Sequence, residues 1–368
     1  MPIIEPSDDF KENTLKAGAF KYWDLFLSWL FKYPSRCYFL EGNEHRLPFA
    51  NKSDAIFQFA KTYRLQSASK GIICNFTEGV KDIEKTEKVL ELALKAFSNP
   101  LHSDLLVAEI LAKVLAYRDL KKGMRINIPT LNADETLELV TYQVDHVFDL
   151  WSKVRAFGLV NEKKGCGAPI LLFRGTDFSF RSEGGRASII SDLDPNGPGH
   201  ALYEKAKPKL VKWLQNMKKT KGKARLVGHS LGGVILAYTL IRNNGLISAR
   251  PHQVSYAFNF PGISMKLTEK WQSLAKSKRP SFSGVVCRGD VVSKFGILFG
   301  KVYEVSYNTP LSPIYAHEQL LFSQPSGYIN LVDLNRENSC PARDFYSTIQ
   351  HHGSALLYEF GLKFLFPR

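Results

Sequence analysis

The stretch of this chain best suited to chemistry is A-R-L-V-G-H-S-L-G-G at 224–233. It predicts a short apolar strand, a sharp turn between glycines and the start of a helix, with Ser230 at the apex. A serine at the tip of so tight a turn occupies strained backbone, and side chains at 228 and 232 would collide there. The pattern is therefore that of a G-x-S-x-G nucleophile elbow, which presents the Ser230 hydroxyl for attack on a carbonyl carbon.

The sequence around the motif supports this interpretation over a chance match. The run V-I-L-A-Y-T-L-I at 234–241 is apolar enough to form a buried helix beneath a sheet, and N-N-G at 243–245 predicts where that helix ends. A nucleophilic serine of this kind needs an acid and a histidine, which follow it in the chain in that order.

Asp290 is the candidate for the acid. It follows the apolar strand predicted at 284–287 and should lie at the same carboxyl edge of the sheet as the elbow. The alternative is an ordinary turn aspartate after a glycine.

Three histidines follow Asp290 and are candidates for the base: His317, His351 and His352. His317 is predicted to lie in a strand or edge segment. His351 and His352 are predicted to lie in a loop before an apolar helix at 354–366, and a loop is better able to bring an imidazole to the serine. We therefore expect His352 to be the base, then His351, then His317.

The elements that must position these groups form two regions. Residues 1–125 are predicted to be mostly helical, with helices over 81–97 and 105–120, and residues 126–368 to be the catalytic domain. In the second region we predict a helix over 134–151, strands over 153–160, 169–173, 253–259 and 284–287, and a basic helix from about 201. Alternating strands and helices predict an α/β fold of the α/β-hydrolase type, with a mostly parallel sheet and helices on both faces.

Composition restricts the partners and the compartment. Lys and Arg outnumber Asp and Glu by 49 to 35, a net charge of +14 that favours an anionic partner. No nucleic-acid-binding signature accompanies the charge, so a membrane surface is the more economical partner than nucleic acid. The five scattered cysteines contain no C-x-x-C and suggest neither disulfides nor a zinc site. Since the first residues lack the features of a signal peptide, we expect a cytoplasmic protein or one exported by another route.

The quoted residues also carry a resemblance to a known family. L-L-F-R-G-T at 171–176, G-H-S-L-G-G at 228–233 and G-D-V-V at 289–292 resemble the class 3 lipases, which include fungal triacylglycerol lipases and plant phospholipases A1. The resemblance spans roughly residues 126–360. It implies an oxyanion hole formed by Thr176 and the backbone N–H of Leu231, a lid helix near 178–190 and a catalytic histidine close to the C-terminus.

These observations predict a serine hydrolase that cleaves lipid esters through Ser230, Asp290 and His352, without a metal or organic cofactor. Phe173, Phe178 and Phe180 are candidates for the wall of an acyl groove beneath the lid, with ordinary core packing as the equal alternative. The basic charge favours phospholipase A over triacylglycerol lipase activity. Two alternatives remain open: a soluble esterase or thioesterase, and a non-catalytic membrane- or protein-binding module on the same scaffold.

Overall fold

A computed structural model describes most of the chain between residues 83 and 338. The described residues are 47–48, 83–151, 154–163, 167–175, 197–290, 292–294, 296–308, 311, 313–323 and 327–338.

The described strands form a single mixed sheet, in the spatial order β1-β10-β9-β8-β7-β6-β5-β4-β3-β2. The five central strands, β5 to β9, run parallel to one another, and every pairing outside them is antiparallel. The strands are β1 Leu47–Pro48, β2 Arg125–Leu131, β3 Leu137–Trp151, β4 Val154–Asn161, β5 Ile170–Phe173, β6 Arg225–His229, β7 Ser255–Phe258, β8 Phe282–Cys287, β9 Lys301–Tyr307 and β10 Gly327–Leu331.

Seven α-helices lie within the described residues. They are α1 Ile83–Ala93, α2 Pro100–Lys113, α3 His200–Thr220, α4 Leu231–Arg242, α5 Met265–Ser273, α6 Pro313–Glu318 and α7 Leu334–Asn338. Asn99 caps the start of α2 through its side chain, which accepts a hydrogen bond from the N–H of Leu101 at 2.9 Å. None of these helices combines the length and the apolarity that are needed to cross a bilayer.

The sheet is covered on both faces, because its central strands alternate between two cores. Leu172 and Val227 point into a core shared with α1 and α2, whereas Leu171 and Leu226 point into one shared with α3, α4 and α5. Burial on both faces explains why these strands are apolar throughout instead of alternating with polar residues. The prediction of an α/β-hydrolase-type fold is confirmed, with the parallel strands confined to the centre of the sheet.

The predicted helix over 134–151 is wrong, since this segment forms the long strand β3. Its buried positions follow a period of two, as at Val140, Tyr142 and Val144, and valine and aromatic residues favour strands. A register shift between Val144 and His146 then turns Phe148 towards the opposite core.

The helices before residue 125 pack directly on the sheet. α2 contacts β5, β6 and β7, and α1 contacts β2. Residues 83–125 therefore share a hydrophobic core with the strands that carry Ser230. The division of the chain at residue 125 stays a prediction.

Candidate active site

Ser230 lies at the junction of β6 and α4, in a backbone conformation that non-glycine residues rarely adopt. Its φ is 54° and its ψ is −129°. The two neighbouring glycines make room for this turn. A Cβ atom on Gly228 would lie 2.7 Å from the carbonyl oxygen of Gly232, and one on Gly232 would lie 2.7 Å from that of Arg174. The predicted collision is therefore present, and at 232 it involves the chain that leaves β5.

Asp290 follows β8 after a short turn, and its side chain is fully buried. Its carboxylate accepts hydrogen bonds from the backbone N–H of Val292 at 2.9 Å and from the hydroxyl of Ser293. These donors fix the direction of the carboxylate.

His317 lies between Asp290 and Ser230. Its Nδ1 is 3.0 Å from Asp290 Oδ1, and its Nε2 is 3.0 Å from Ser230 Oγ. Because the carboxylate can only accept, it assigns the imidazole proton to Nδ1 and leaves Nε2 as the acceptor for the serine hydroxyl. The predicted strand at His317 is wrong, since the residue belongs to the short helix α6.

Several predicted site residues lie outside the described residues. They are His351 and His352, Thr176, Phe178 and Phe180, together with the whole of the proposed lid. Phe173 is fully buried in the core with α3 and α4, which favours the alternative of ordinary core packing for that residue.

Leu231 is the first residue of α4, so its backbone N–H has no acceptor within the helix and lies at the helix's positive end. The chain leading to Thr176 passes beside the serine. A Cβ atom on Gly175 would lie 2.8 Å from the carbonyl oxygen of His229 and 3.3 Å from Ser230 Cβ. This close approach leaves space for glycine alone at position 175.

Two buried residues that the motif analysis did not select hold the backbone of His317. Asn259 Nδ2 donates to the carbonyl oxygens of Ala316, at 2.5 Å, and His317, at 3.1 Å. His229 Nε2 lies 3.0 Å from the same His317 oxygen. The position of Asn259, directly after β7 at the carboxyl edge, is a signal that could have identified it.

His229 is kept neutral by its surroundings. Burial, followed by the charges of His317 and Lys113, holds its pKa well below the usual value. A neutral imidazole that donates from Nε2 accepts at Nδ1, and the hydroxyl of Tyr117 lies 3.5 Å from that atom. His229 therefore acts as a fixed donor to the backbone of His317.

This site contains a hydroxyl, an imidazole and a carboxylate in series, next to a helix N-terminus. Such a series can transfer a proton from the hydroxyl to the imidazole during attack on a carbonyl. Among the residues that the structure describes, no group of three or more His, Cys, Asp or Glu side chains could hold a metal ion.

No protein-family model matches the chain, and no curated protein matches it in sequence. Solved structures do match. A triacylglycerol lipase from Penicillium expansum is 13% identical over 56% of this chain and 79% of its own, with a TM-score of 0.37. Lipase II from Rhizopus niveus is 15% identical over 82% and 94%, with a TM-score of 0.37. A lipase from Rhizopus microsporus var. chinensis is 13% identical over 86% and 94%, with a TM-score of 0.36. Similarity at this level does not assign the chain to a family.

Proposed function

We propose that this chain is a serine hydrolase of carboxylic esters, with lipid esters as its substrate class. Ser230 is the nucleophile, His317 the general base and Asp290 the acid that orients it. The observation that carries the proposal is the continuous hydrogen-bonded series from Ser230 Oγ through both nitrogens of His317 to Asp290 Oδ1. This assignment puts His317 in the role that the sequence analysis gave first to His352 and then to His351.

The reaction proceeds in two halves. His317 Nε2 takes the proton of Ser230 as Oγ attacks the ester carbonyl, and Asp290 stabilises the imidazolium that forms. The protonated Nε2 then gives its proton to the leaving alkoxide, which departs as an alcohol and leaves an acyl-serine. Water, deprotonated by the same nitrogen, attacks the acyl group and releases the acid and the free serine.

The negative charge that develops on the carbonyl oxygen needs hydrogen-bond donors. The backbone N–H of Leu231, at the start of α4, is suited to this role by its position next to Ser230. Thr176, one residue beyond Gly175, is the second proposed donor. The loss of one such donor typically costs about 3 kcal/mol of transition-state stabilisation.

Within the class of lipid esters, we propose a phospholipase A activity at an anionic membrane surface, and the net charge of +14 supports it. The topology restricts which basic residues can contribute. Lys218 and Lys219 lie in the last turn of α3, and Lys221 and Lys223 follow them and lead into the amino end of β6. Ser230 follows the carboxyl end of that strand, at the opposite edge of the sheet. A membrane bound to these four lysines would therefore not face the serine.

Turnover of a short-chain p-nitrophenyl ester by the purified chain tests the proposed activity. We expect hydrolysis that Ser230→Ala abolishes, with trapping of an acyl or phosphonyl adduct on Ser230 by intact mass. Absence of turnover and of adduct with the folded wild-type chain would overturn the proposal. If the wild-type chain were inactive and bound anionic vesicles as well as the Ser230→Ala variant does, the non-catalytic binding module would replace the hydrolase as the proposed function.

The substrate class needs a second comparison. Initial rates on phosphatidylcholine vesicles, with and without anionic lipid, are compared with rates on emulsified triglyceride. A higher rate on phospholipid, raised further by anionic lipid, supports the phospholipase proposal. A preference for triglyceride contradicts it, and activity confined to soluble esters favours the esterase alternative.

A further inference from the structure

We infer that Glu109 and Lys113, on helix α2, are positioning residues for His317. They hold the turn that follows α6 and thereby keep the imidazole between Ser230 and Asp290. This inference rests on the proposed function for its catalytic consequence, whereas the geometric consequence can be measured without turnover.

The two side chains bind the backbone of residues 319–322 directly. Glu109 accepts hydrogen bonds from the N–H of Leu321 at 2.6 Å and the N–H of Phe322 at 3.0 Å, one on each carboxylate oxygen. Lys113 donates to the carbonyl oxygen of Gln319 at 2.7 Å. The pair therefore satisfies three backbone groups of a turn that begins two residues after His317.

Glu109 and Lys113 also pair with each other, 2.9 Å apart and one helical turn apart on α2. Their side chains are 0% and 1% exposed. A buried ion pair is a poor way to gain stability, because removing two charges from water offsets most of their attraction. Its hydrogen bonds to the turn after α6 indicate that this pair has a positional role.

The helix that carries His317 cannot hold its own position. α6 has only six residues, and a helix of that length is unstable without tertiary contacts. Asn259 and His229 bind its last carbonyls from the ends of β7 and β6. Glu109 and Lys113 bind the following turn from α2. The backbone is therefore held at residues 316–317 and again at residues 319–322, just after His317.

Helix α2, which carries Glu109 and Lys113, also carries a second buried ion pair that serves as a matched control. Asp104 accepts two hydrogen bonds from Arg225, at 2.8 and 3.2 Å, and both side chains are buried. Arg225 is the first residue of β6, at the edge of the sheet opposite to His317. This pair offers comparable burial and charge without a hydrogen bond to the turn after α6.

The experiment compares three variants with the wild type: Glu109→Gln, the double variant Glu109→Gln/Lys113→Met, and Asp104→Asn. In Glu109→Gln we expect kcat on a p-nitrophenyl ester to fall tenfold to a hundredfold with KM changed less than twofold, because small displacements of a catalytic group are costly. The double variant removes both charges, so its Tm should recover towards the wild type while kcat stays low. Asp104→Asn should lower Tm and keep kcat within twofold.

A second readout follows the imidazole itself. The Nδ1 proton of His317, held by Asp290, should give a downfield proton resonance that is missing from His317→Ala. We expect this resonance in the wild type and in Asp104→Asn, and its loss or shift in Glu109→Gln and the double variant. Glu109→Asp, which keeps the charge beside Lys113, replaces Glu109→Gln should that variant not fold.

A Tm that falls in Glu109→Gln while kcat and the resonance stay unchanged would overturn the inference. So would a kcat that recovers together with Tm in the double variant, since that result indicates stability alone. If the wild type hydrolyses no ester but the resonance still depends on Glu109, the proposed function fails and the positioning inference stands.

Discussion

His317 Nε2 lies 3.0 Å from Ser230 Oγ, although 87 residues separate the two along the chain. The contact joins the turn after β6 to the helix α6. No short sequence motif contains both of these elements. A hydroxyl hydrogen-bonded to a neutral imidazole is the arrangement from which proton transfer can start.

The identity of the base is the first prediction. We expect His317→Ala to lower kcat on a soluble ester between a hundredfold and ten-thousandfold, because it removes the group that accepts the proton of Ser230. His351→Ala and His352→Ala should each stay within a few-fold of the wild type. A large loss in either of these, with His317→Ala near full activity, would return the role to the C-terminal histidines.

The glycines of the elbow give the second prediction. A Cβ atom on Gly228 would lie 2.7 Å from the backbone of Gly232, which cannot move without displacing α4. We expect Gly228→Ala to lower the free energy of unfolding by about 1–3 kcal/mol, measured in urea. Gly245→Ala is the control, since no atom lies within 4 Å of the added carbon, and should change that free energy by less than about 0.5 kcal/mol. Equal effects of the two substitutions would contradict this reading of the turn.

The sequence was informative wherever a local pattern determined the structure. Ser230 directly follows an apolar strand and Asp290 follows one after a short turn, and parallel strands bring their carboxyl ends to one edge of the sheet. The elbow, the strands that flank it and α3 could therefore be predicted within a few residues. Asn259 follows β7 in the same way, so the reasoning that selected Asp290 could also have selected it.

The position of His317 could not be predicted, because tertiary contacts determine it. Ser312-Pro313 is a helix-start signal, but the six residues of helix that follow are too few to fix a position on their own. Bonds from Asn259, His229 and Glu109 determine where this helix lies. The sequence of β3 predicts a helix because its apolar residues are spaced irregularly across the register shift after Val144. The partners of α6 lie far away in the sequence, whereas β3 pairs with β2 and β4, its neighbours along the chain.

Glu304 gives the third prediction, on stability. It is buried on β9 beside Arg288, and burial raises its pKa to about 7 although Arg288 opposes the shift. In the unfolded chain the group ionises near 4.5, so between pH 4.5 and 7 the folded state holds a proton that the unfolded state has lost. Stability contributed by this group is complete below pH 4.5 and falls by about 3 kcal/mol as the pH rises through 7.

Glu304→Gln remains neutral and should lack this loss. The difference in the free energy of unfolding between the variant and the wild type should rise with pH from 4.5 to 7 and then level off. A flat difference for Glu304→Gln would show that burial does not perturb this carboxyl.

His229 gives the last prediction, with the opposite sign. Burial, then the charges of His317 and Lys113, lowers its pKa well below 6.5, so below that pH the unfolded chain binds a proton that the folded chain excludes. Stability from this group is complete above pH 6.5 and is lost at about 1.4 kcal/mol per pH unit as the pH falls. Below pH 6.5 this slope opposes that of Glu304.

His229→Gln should remove the acid-side loss, because an amide does not titrate, and should retain a donor to the carbonyl oxygen of His317. His229→Leu removes the same titration but also the donor. Both variants should therefore show the same pH dependence of unfolding, while kcat falls at least tenfold in His229→Leu and much less in His229→Gln. Equal kcat values in the two variants would mean that the hydrogen bond from His229 has no part in positioning His317.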